Sequence, residues 1–230
     1  MQARRQTRLD IVLPVLAGLG KGGWAILVLV LALAGAGGFA WWNYDLRWRP
    51  HTITKHQDEI ARILETSGWV SPGKTGPKVY MVSFRTCPDC VRFKAEEFPL
   101  LQAAGVDTRV IEIARRDVNG VAKSTPTERA TVAELWLNRS WPLMEQWEDA
   151  PAQAWTAPGI APADGDMART AVVEAGRKLV DDLTPLLRAN GVKFAYPTLV
   201  WWTRDGKMRA CACDRRETYK HVRKELGLAS

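Results

Sequence analysis

The longest feature in the pattern of apolar and polar positions is a run with no charge, "WAILVLVLALAGAGGFAWW", from Trp24 to Trp42. As a helix its 19 residues span about 28 Å, close to the hydrocarbon thickness of a bilayer. Trp at both ends suits the two interfaces. The run predicts a transmembrane anchor over 24–42, behind a tail over 1–23. A cleaved signal peptide is the competing reading, because Ala32-Leu33-Ala34 resembles a small-residue cleavage site. The long preceding region and the apolar stretch beyond that site favour the anchor. The tail carries Arg4, Arg5, Arg8 and Lys21, and the far flank carries Arg47, Arg49 and Lys55. The charge bias is slight; a short basic tail stays on the cytoplasmic side and sends the rest of the chain across.

Residues 43–76 are mostly polar and read as a linker with one short helix. "HQDEIARILETSG" places Ile60, Ile63 and Leu64 on one face, and Gly68 suits its end. "SPGKTGPK" (71–78) is turn-rich. The domain proper runs over 77–230. "VYMVSF" is a short apolar run, read as a buried strand. A helix starts at Cys87 directly behind it, and Pro99 ends or bends that helix. "VDTRVIEIA" (106–114) alternates and predicts a second strand.

From about 115 to 190 the pattern turns helical. Thr125, Pro126 and Glu128 form a helix-start signal, with Val132, Leu135 and Trp136 following at helical spacing. Pro142 breaks the segment in two. "PAQAWTAPGIAPADGD" (151–166) reads as an exposed loop, and a further helical stretch runs to a stop at Gly191. "TLVWW", "RDG" and "KMRACAC" predict a β-hairpin, and "RETYKHVRKELG" a closing amphipathic helix. The order strand, helix, strand, helical segment, strand, strand, helix is an α/β pattern with a mixed sheet.

Composition changes this picture little. The 230 residues carry a net charge of +7, enough chain for one domain plus extras. The basic residues are scattered (Arg115-Arg116, Arg169, Arg177-Lys178, Arg215-Arg216), with no stripe interleaved with aromatics. That argues against nucleic-acid binding and for solvated faces with affinity for a membrane surface. The 11 Trp group at membrane edges (Trp24, Trp41, Trp42, Trp48) and along the helical region (Trp136, Trp141, Trp147, Trp155), which suits belts and core better than a ligand box. With only His51, His56 and His221, a His-rich metal centre and a His-based nucleophile are disfavoured. The four Cys fall in two close pairs, unlike the spread spacing of a disulfide-stapled scaffold.

The first pair carries the chemistry. With Cys87 as N-cap, Pro88 falls at the first helical position, where its missing N–H costs nothing. Cys87 then faces the unpaired N–H groups and the positive end of the helix dipole. Both stabilise a thiolate and lower its pKa from the free value of about 8.5. Cys87 is the candidate nucleophile and Cys90 the thiol that resolves the mixed disulfide. Asp89 opposes this, since a carboxylate disfavours a nearby thiolate; Asp89→Asn is expected to lower the Cys87 pKa. A lone CxxC also fits half a zinc site, but a pair between a buried strand and a helix is in redox surroundings.

Tyr196-Pro197-Thr198, an X-Pro-Thr step before an apolar strand far downstream of CxxC, resembles the thioredoxin superfamily. The resemblance implies a thioredoxin-like fold, a cis Pro197 lying beside the CxxC, and a Tyr196 whose backbone bonds the substrate chain. The long helical segment before the Pro, and "ANGVKFAYPTLV", are similar to the Dsb-type oxidoreductases and isomerases of the bacterial cell envelope, DsbA, DsbC and DsbG. The match covers roughly 77–113 and 191–230; the helical insertion at about 115–190 matches by position and helicity only. By resemblance the chain is anchored in the inner membrane with its catalytic domain in the periplasm. The Pro88-Asp89 dipeptide departs from the family members compared, so the direction of electron flow stays open. Thioredoxin's buried carboxylate has Met81 as its comparable position, leaving Glu112 as the candidate proton acceptor for Cys90. Residues 43–76 are too short for the isomerases' dimerisation domain.

"RACACD" is the least expected motif. Cys211 and Cys213 stand at i and i+2 on a strand, so they share a face, yet an extended strand holds them too far apart for an unstrained disulfide; a local kink would close a strained and reducible one. The antiparallel hairpin returns them to the neighbourhood of Pro197. Three readings stay open: two buried strand cysteines, a second dithiol exchanging with Cys87/Cys90, or thiolates that join the first pair on zinc or copper. Taken together the residues predict a thiol–disulfide oxidoreductase acting on protein thiols through Cys87 and Cys90. Phe84, Thr86, Tyr196 and Pro197 shape its groove, and a protein redox partner supplies or takes electrons. No organic cofactor and no resident metal are implied. The alternative from another class is a copper- or zinc-delivery module built on the same thiols.

Overall fold

The computed structural model describes residues 20–228; the tail with Arg4, Arg5 and Arg8 lies outside the described residues. The chain divides into two units, with the boundary between Trp48 and Arg49.

The first unit is helix α1, Lys21–Tyr44, followed by a 3₁₀ turn, Leu46–Trp48. Its 24 residues make a rod of about 36 Å, longer at both ends than the apolar run itself. It is apolar all round: Ile26, Leu31, Leu33 and Phe39 are all exposed. Among the described residues this is the one helix long and apolar enough to cross a membrane, with a mean hydropathy of 2.1. Below it, Trp48 Nε1 donates to the Asn43 carbonyl at 2.7 Å and Arg47 lies 4.4 Å over the Trp48 ring.

The second unit is built on a five-stranded mixed sheet of order β1-β5-β4-β2-β3. The strands are β1 (His51–Thr52), β2 (Lys78–Ser83), β3 (Asp107–Glu112), β4 (Thr198–Trp202) and β5 (Met208–Ala212). Strands β2 and β3 are parallel, joined by helix α3 (Pro88–Ala103) as a crossover. Strand β4 is antiparallel to β2, and β5 to β4 through the Thr203–Lys207 turn. Helix α7 (Arg216–Glu225) ends the described fold. Three helices, α4 (Pro126–Asn138), α5 (Trp141–Asp149) and α6 (Met167–Arg188), lie between β3 and β4.

Register assigns the faces. Residues paired across strands project to one side, so Met81, Val110, Leu199 and Cys211 share a face. Helices α3 and α7 cover it: Lys94 of α3 reaches Glu112, and Arg209 pairs with Glu225 of α7 at 2.7 Å. Helix α2 (Gln57–Thr66) covers the opposite face, where its Glu65 pairs with Arg109 at 3.1 Å.

Several elements differ from the expectations. The stretch read as a linker with one short helix, 43–76, holds that helix as α2 and also contributes strand β1 and Val70, which bridges Val110. Gly68 leaves the room that the Trp136 ring of α4 occupies, and Trp136 Nε1 donates to the Glu112 carbonyl at 2.8 Å. Strand β3, expected to alternate, is buried at all six positions; Asp107 and Arg109 are tolerated inside because they pair at 2.8 Å. Pro99 does not end α3, which runs on to Ala103. The proline forfeits one backbone bond near the helix end, where buried Phe98 and Leu101 hold the turn in the core. The break at 139–141 comes from Arg139 in the left-handed region and Ser140 as the next N-cap, with Pro142 sitting in the first turn of α5. At Thr125 both bonds of a capping box form.

Candidate functional site

Helix α3 begins where β2 runs out. Ser83 ends the strand, Cys87 N–H donates back to the Phe84 carbonyl at 3.1 Å, and Cys87 becomes the N-cap with Pro88 in the first helical turn. Cys90 N–H donates to Cys87 Sγ at 3.1 Å, so a helix N-terminal donor points at sulfur. Cys87 and Cys90 are joined in a disulfide with Cα atoms 5.2 Å apart. Cys90 is fully buried and Cys87 is 3 % exposed, between exposed Thr86 and Pro88.

The start of β4 lies alongside. Val82 pairs with Thr198, which sets Pro197 next to the end of β2, and the Tyr196–Pro197 peptide is cis. Phe84 meets Tyr196 edge-on at 4.9 Å, and Phe194 meets the other side of Tyr196 at 5.3 Å. Arg115 lies 3.9 Å over the Phe84 ring. Burial pushes the Tyr196 phenol up to about 12 against the pull of Arg115, so it stays a protonated donor at neutral pH. Of the four residues expected to line a groove, Thr86 is exposed and Tyr196 partly so; Phe84 and Pro197 are buried beneath them. Phe194 and Arg115 belong to this surface too, and neither stood out in the sequence.

Asp89, expected to oppose a thiolate, is paired. Arg92 Nη2 sits 2.8 Å from its carboxylate. The same guanidinium donates to the Asp214 carbonyl at 2.7 Å and to the Tyr219 hydroxyl at 3.3 Å. The hydrogen bond it donates to Tyr219, with the charge of Asp89, raises the Arg92 pKa.

A buried charged cluster lies under the first turns of α3. Lys94, one turn on from Cys90, reaches Glu112 at 3.0 Å and also Glu148 of α5. Ser83 donates to the same Glu112 oxygen at 2.5 Å, while Glu112 Oε2 is buried without a partner. Burial alone pulls Lys94 down, but Glu112 and Glu148 outweigh it and hold its ammonium above the ordinary lysine value. Burial raises Glu148 against the pull of Lys94, and the charge of Glu112 raises it further. Glu128 of the capping box is pushed up to about 7, chiefly by burial, against its bond from Thr125 and with help from Glu112. Sequence spacing offered no sign of Lys94 or Glu148, because Lys94 reaches Glu112, and Glu148 reaches Lys94, only through tertiary contacts.

The second pair is also a disulfide. Cys211 and Cys213 have Cα atoms 5.2 Å apart, well short of the roughly 6.6 Å of two residues in an extended strand. The chain departs from the strand at this point: β5 ends at Ala212, between the two cysteines. Cys213 N–H donates to the Pro197 carbonyl at 2.8 Å. Cys211 is 4 % exposed and Cys213 fully buried. Among the described residues no group of three or more His, Cys, Asp or Glu side chains forms a metal-binding cluster.

No family model matches the chain, and no curated protein matches it. Among solved structures, the crystal structure of BcfH from Salmonella enterica Typhimurium is similar, with a TM-score of 0.46 and 15 % identity over 95 % of this chain and 94 % of that one. The arrangement described above therefore stands on the chain's own topology and contacts.

Proposed function

We propose that this chain is a membrane-anchored thiol–disulfide oxidoreductase of the thioredoxin type, exchanging disulfides with protein cysteines at the periplasmic face of the inner membrane. The observation that carries this reading is the Cys90 N–H aimed at Cys87 Sγ across the first turn of α3. A helix N-terminus stabilises a thiolate there, so reduced Cys87 is the nucleophile. The βαβ unit, the antiparallel hairpin beginning at Pro197 and the closing helix support the thioredoxin-like fold, with α4, α5 and α6 as its helical insertion. Helix α1 is the anchor.

In the reducing direction, Cys87 thiolate attacks a substrate disulfide, forming a mixed disulfide and releasing one substrate thiolate. Cys90 then loses its proton and attacks Cys87 Sγ, closing the pair and releasing the second thiolate. Glu112, with its unpartnered buried oxygen, is the carboxylate assigned to that proton, and Lys94 holds it in place. Thr86 and Tyr196 flank the path of the substrate chain, and the Phe84–Tyr196–Phe194 rings offer an apolar contact beside the reacting cysteine. Insulin reduction and reduced-RNase oxidation test the reading. One or both should proceed with the intact chain and vanish in Cys87→Ala. Undiminished activity in that variant would remove the reading.

A further inference from the structure

We propose that Cys211–Cys213 is a second redox centre that exchanges its bond with Cys87–Cys90 inside one chain. The proposal rests on the thiol–disulfide reading above and supplies it with an internal partner. Placement is the first ground. Register turns Cys211 to the face that α3 covers, and the disulfide keeps Cys213 beside it. Cys90 stands on the buried stripe of α3 with Phe93, Lys94 and Glu97, and Lys94 faces that same side of the sheet. Strands β2 and β5 are two strand spacings apart, about 10 Å, and the first turns of α3 bridge that gap. Arg92, two residues after Cys90, donates to the carbonyl of Asp214, the residue after Cys213. On the other side Cys213 is bonded to Pro197. All four cysteines are buried in the apolar core of the domain.

The electrons balance without an outside reagent. Suppose Cys87/Cys90 has reduced a substrate and closed. A Cys213 thiolate attacks the sulfur of Cys90, the Cys87–Cys90 bond breaks, and Cys87 leaves as thiolate. Cys211 thiolate then attacks the Cys213 sulfur, and Cys90 leaves. The second pair ends oxidised and the first reduced; the two protons released by Cys211 and Cys213 are matched by two taken up at Cys87 and Cys90. The path is reversible, and its direction follows the two reduction potentials. Division of labour follows as well: Cys87 serves the substrate, and Cys90 serves the interior.

The test is a trap on the full chain in detergent. In Cys87→Ser/Cys211→Ser, treatment with oxidised glutathione should yield a Cys90–Cys213 link, identified by peptide mass spectrometry. Glutathione adducts on Cys90 and Cys213 with no link between them would overturn the proposal. A second measurement needs no double variant. Reduction of Cys211–Cys213 by reduced glutathione, followed by differential alkylation, should slow by about tenfold or more in Cys87→Ala, since no Cys87 thiol remains to attack Cys90 and release Cys213. An unchanged rate would overturn it too. Insulin reduction by the intact chain separates the two readings: activity without the link removes the relay alone, and a link without activity removes the outward function alone.

Discussion

The two cysteine pairs hold their Cα atoms the same 5.2 Å apart, one across a helical turn and the other at the end of a strand. In a helix the third residue on comes round naturally to that spacing; in a strand the chain must give up its extension, and β5 stops between its cysteines. The donors differ as well. The Cys90 N–H points at Cys87 Sγ, whereas the Cys213 N–H is taken by the Pro197 carbonyl. A buried Lys94–Glu112–Glu148 cluster lies beneath the first pair. Similar covalent geometry and similar burial thus sit in two electrostatic settings.

The largest effect expected is at the cluster. Lys94→Ala leaves the buried Glu112 carboxylate uncompensated beside the partly exposed Glu148 and should cost about 3–5 kcal/mol of stability, measured by urea unfolding. Lys94→Met keeps much of the volume, so a similar loss there attributes the effect to charge rather than to packing. A loss below ~1 kcal/mol in both would mean that the cluster is solvated and does not distinguish the two settings.

Glu128 gives the next effect. Its folded pKa of about 7 lies above the ordinary 4.5, so the folded state binds the extra proton. Its stabilisation by protonation is fully present below about pH 4.5 and is lost as pH rises through 7. Across that window the chain should lose up to ~3 kcal/mol, and Glu128→Gln, which retains the acceptor for Thr125, should flatten the slope. An unchanged slope in the variant would place the titration elsewhere.

Reactivity of the reduced chain tests the donor difference directly. At pH 7 Cys87 should react with iodoacetamide about tenfold faster than Cys211 or Cys213, from its larger thiolate fraction. Equal rates would break the comparison. The smallest effect is tuning: Arg92→Ala frees Asp89 and should raise the Cys87 pKa by a few tenths of a unit, while Asp89→Asn should lower it by a similar amount. Both are read from the pH dependence of alkylation, and a shift of the same sign in both variants would show that the pair acts through packing.

Much of this was legible in the sequence where the signal was local. "FRTCPDC" carried its own strand end, N-cap and first-turn proline, and Thr125 with Glu128 its own capping box. The "TLVWW…KMRACAC" hairpin set the register that returns Cys213 to Pro197. What escaped was non-local. His51–Thr52 is too short to show a period and becomes strand β1 only because β5 offers it an edge. Arg92 looks like a surface helix arginine until Asp214 and Tyr219 come in from 122 and 127 residues away. Lys94 sits in a stripe that reads as apolar, and its two carboxylates come from β3 and α5. The shortening at Cys211–Cys213 needed coordinates, since residues at i and i+2 alone describe an extended strand.

Burial of the sulfurs has a consequence for chemical wear. Cys90 and Cys213, both fully buried, are poorly placed to meet peroxide, and sulfinic or sulfonic acids form only where oxidant can reach a thiolate. Met167, 90 % exposed at the start of α6, stands in the open and would be the first of the described methionines to take an oxygen atom, as a reversible sulfoxide. In an oxidising compartment the chain would then age from its surface inward, its two fully buried sulfurs outlasting the methionine that shields nothing.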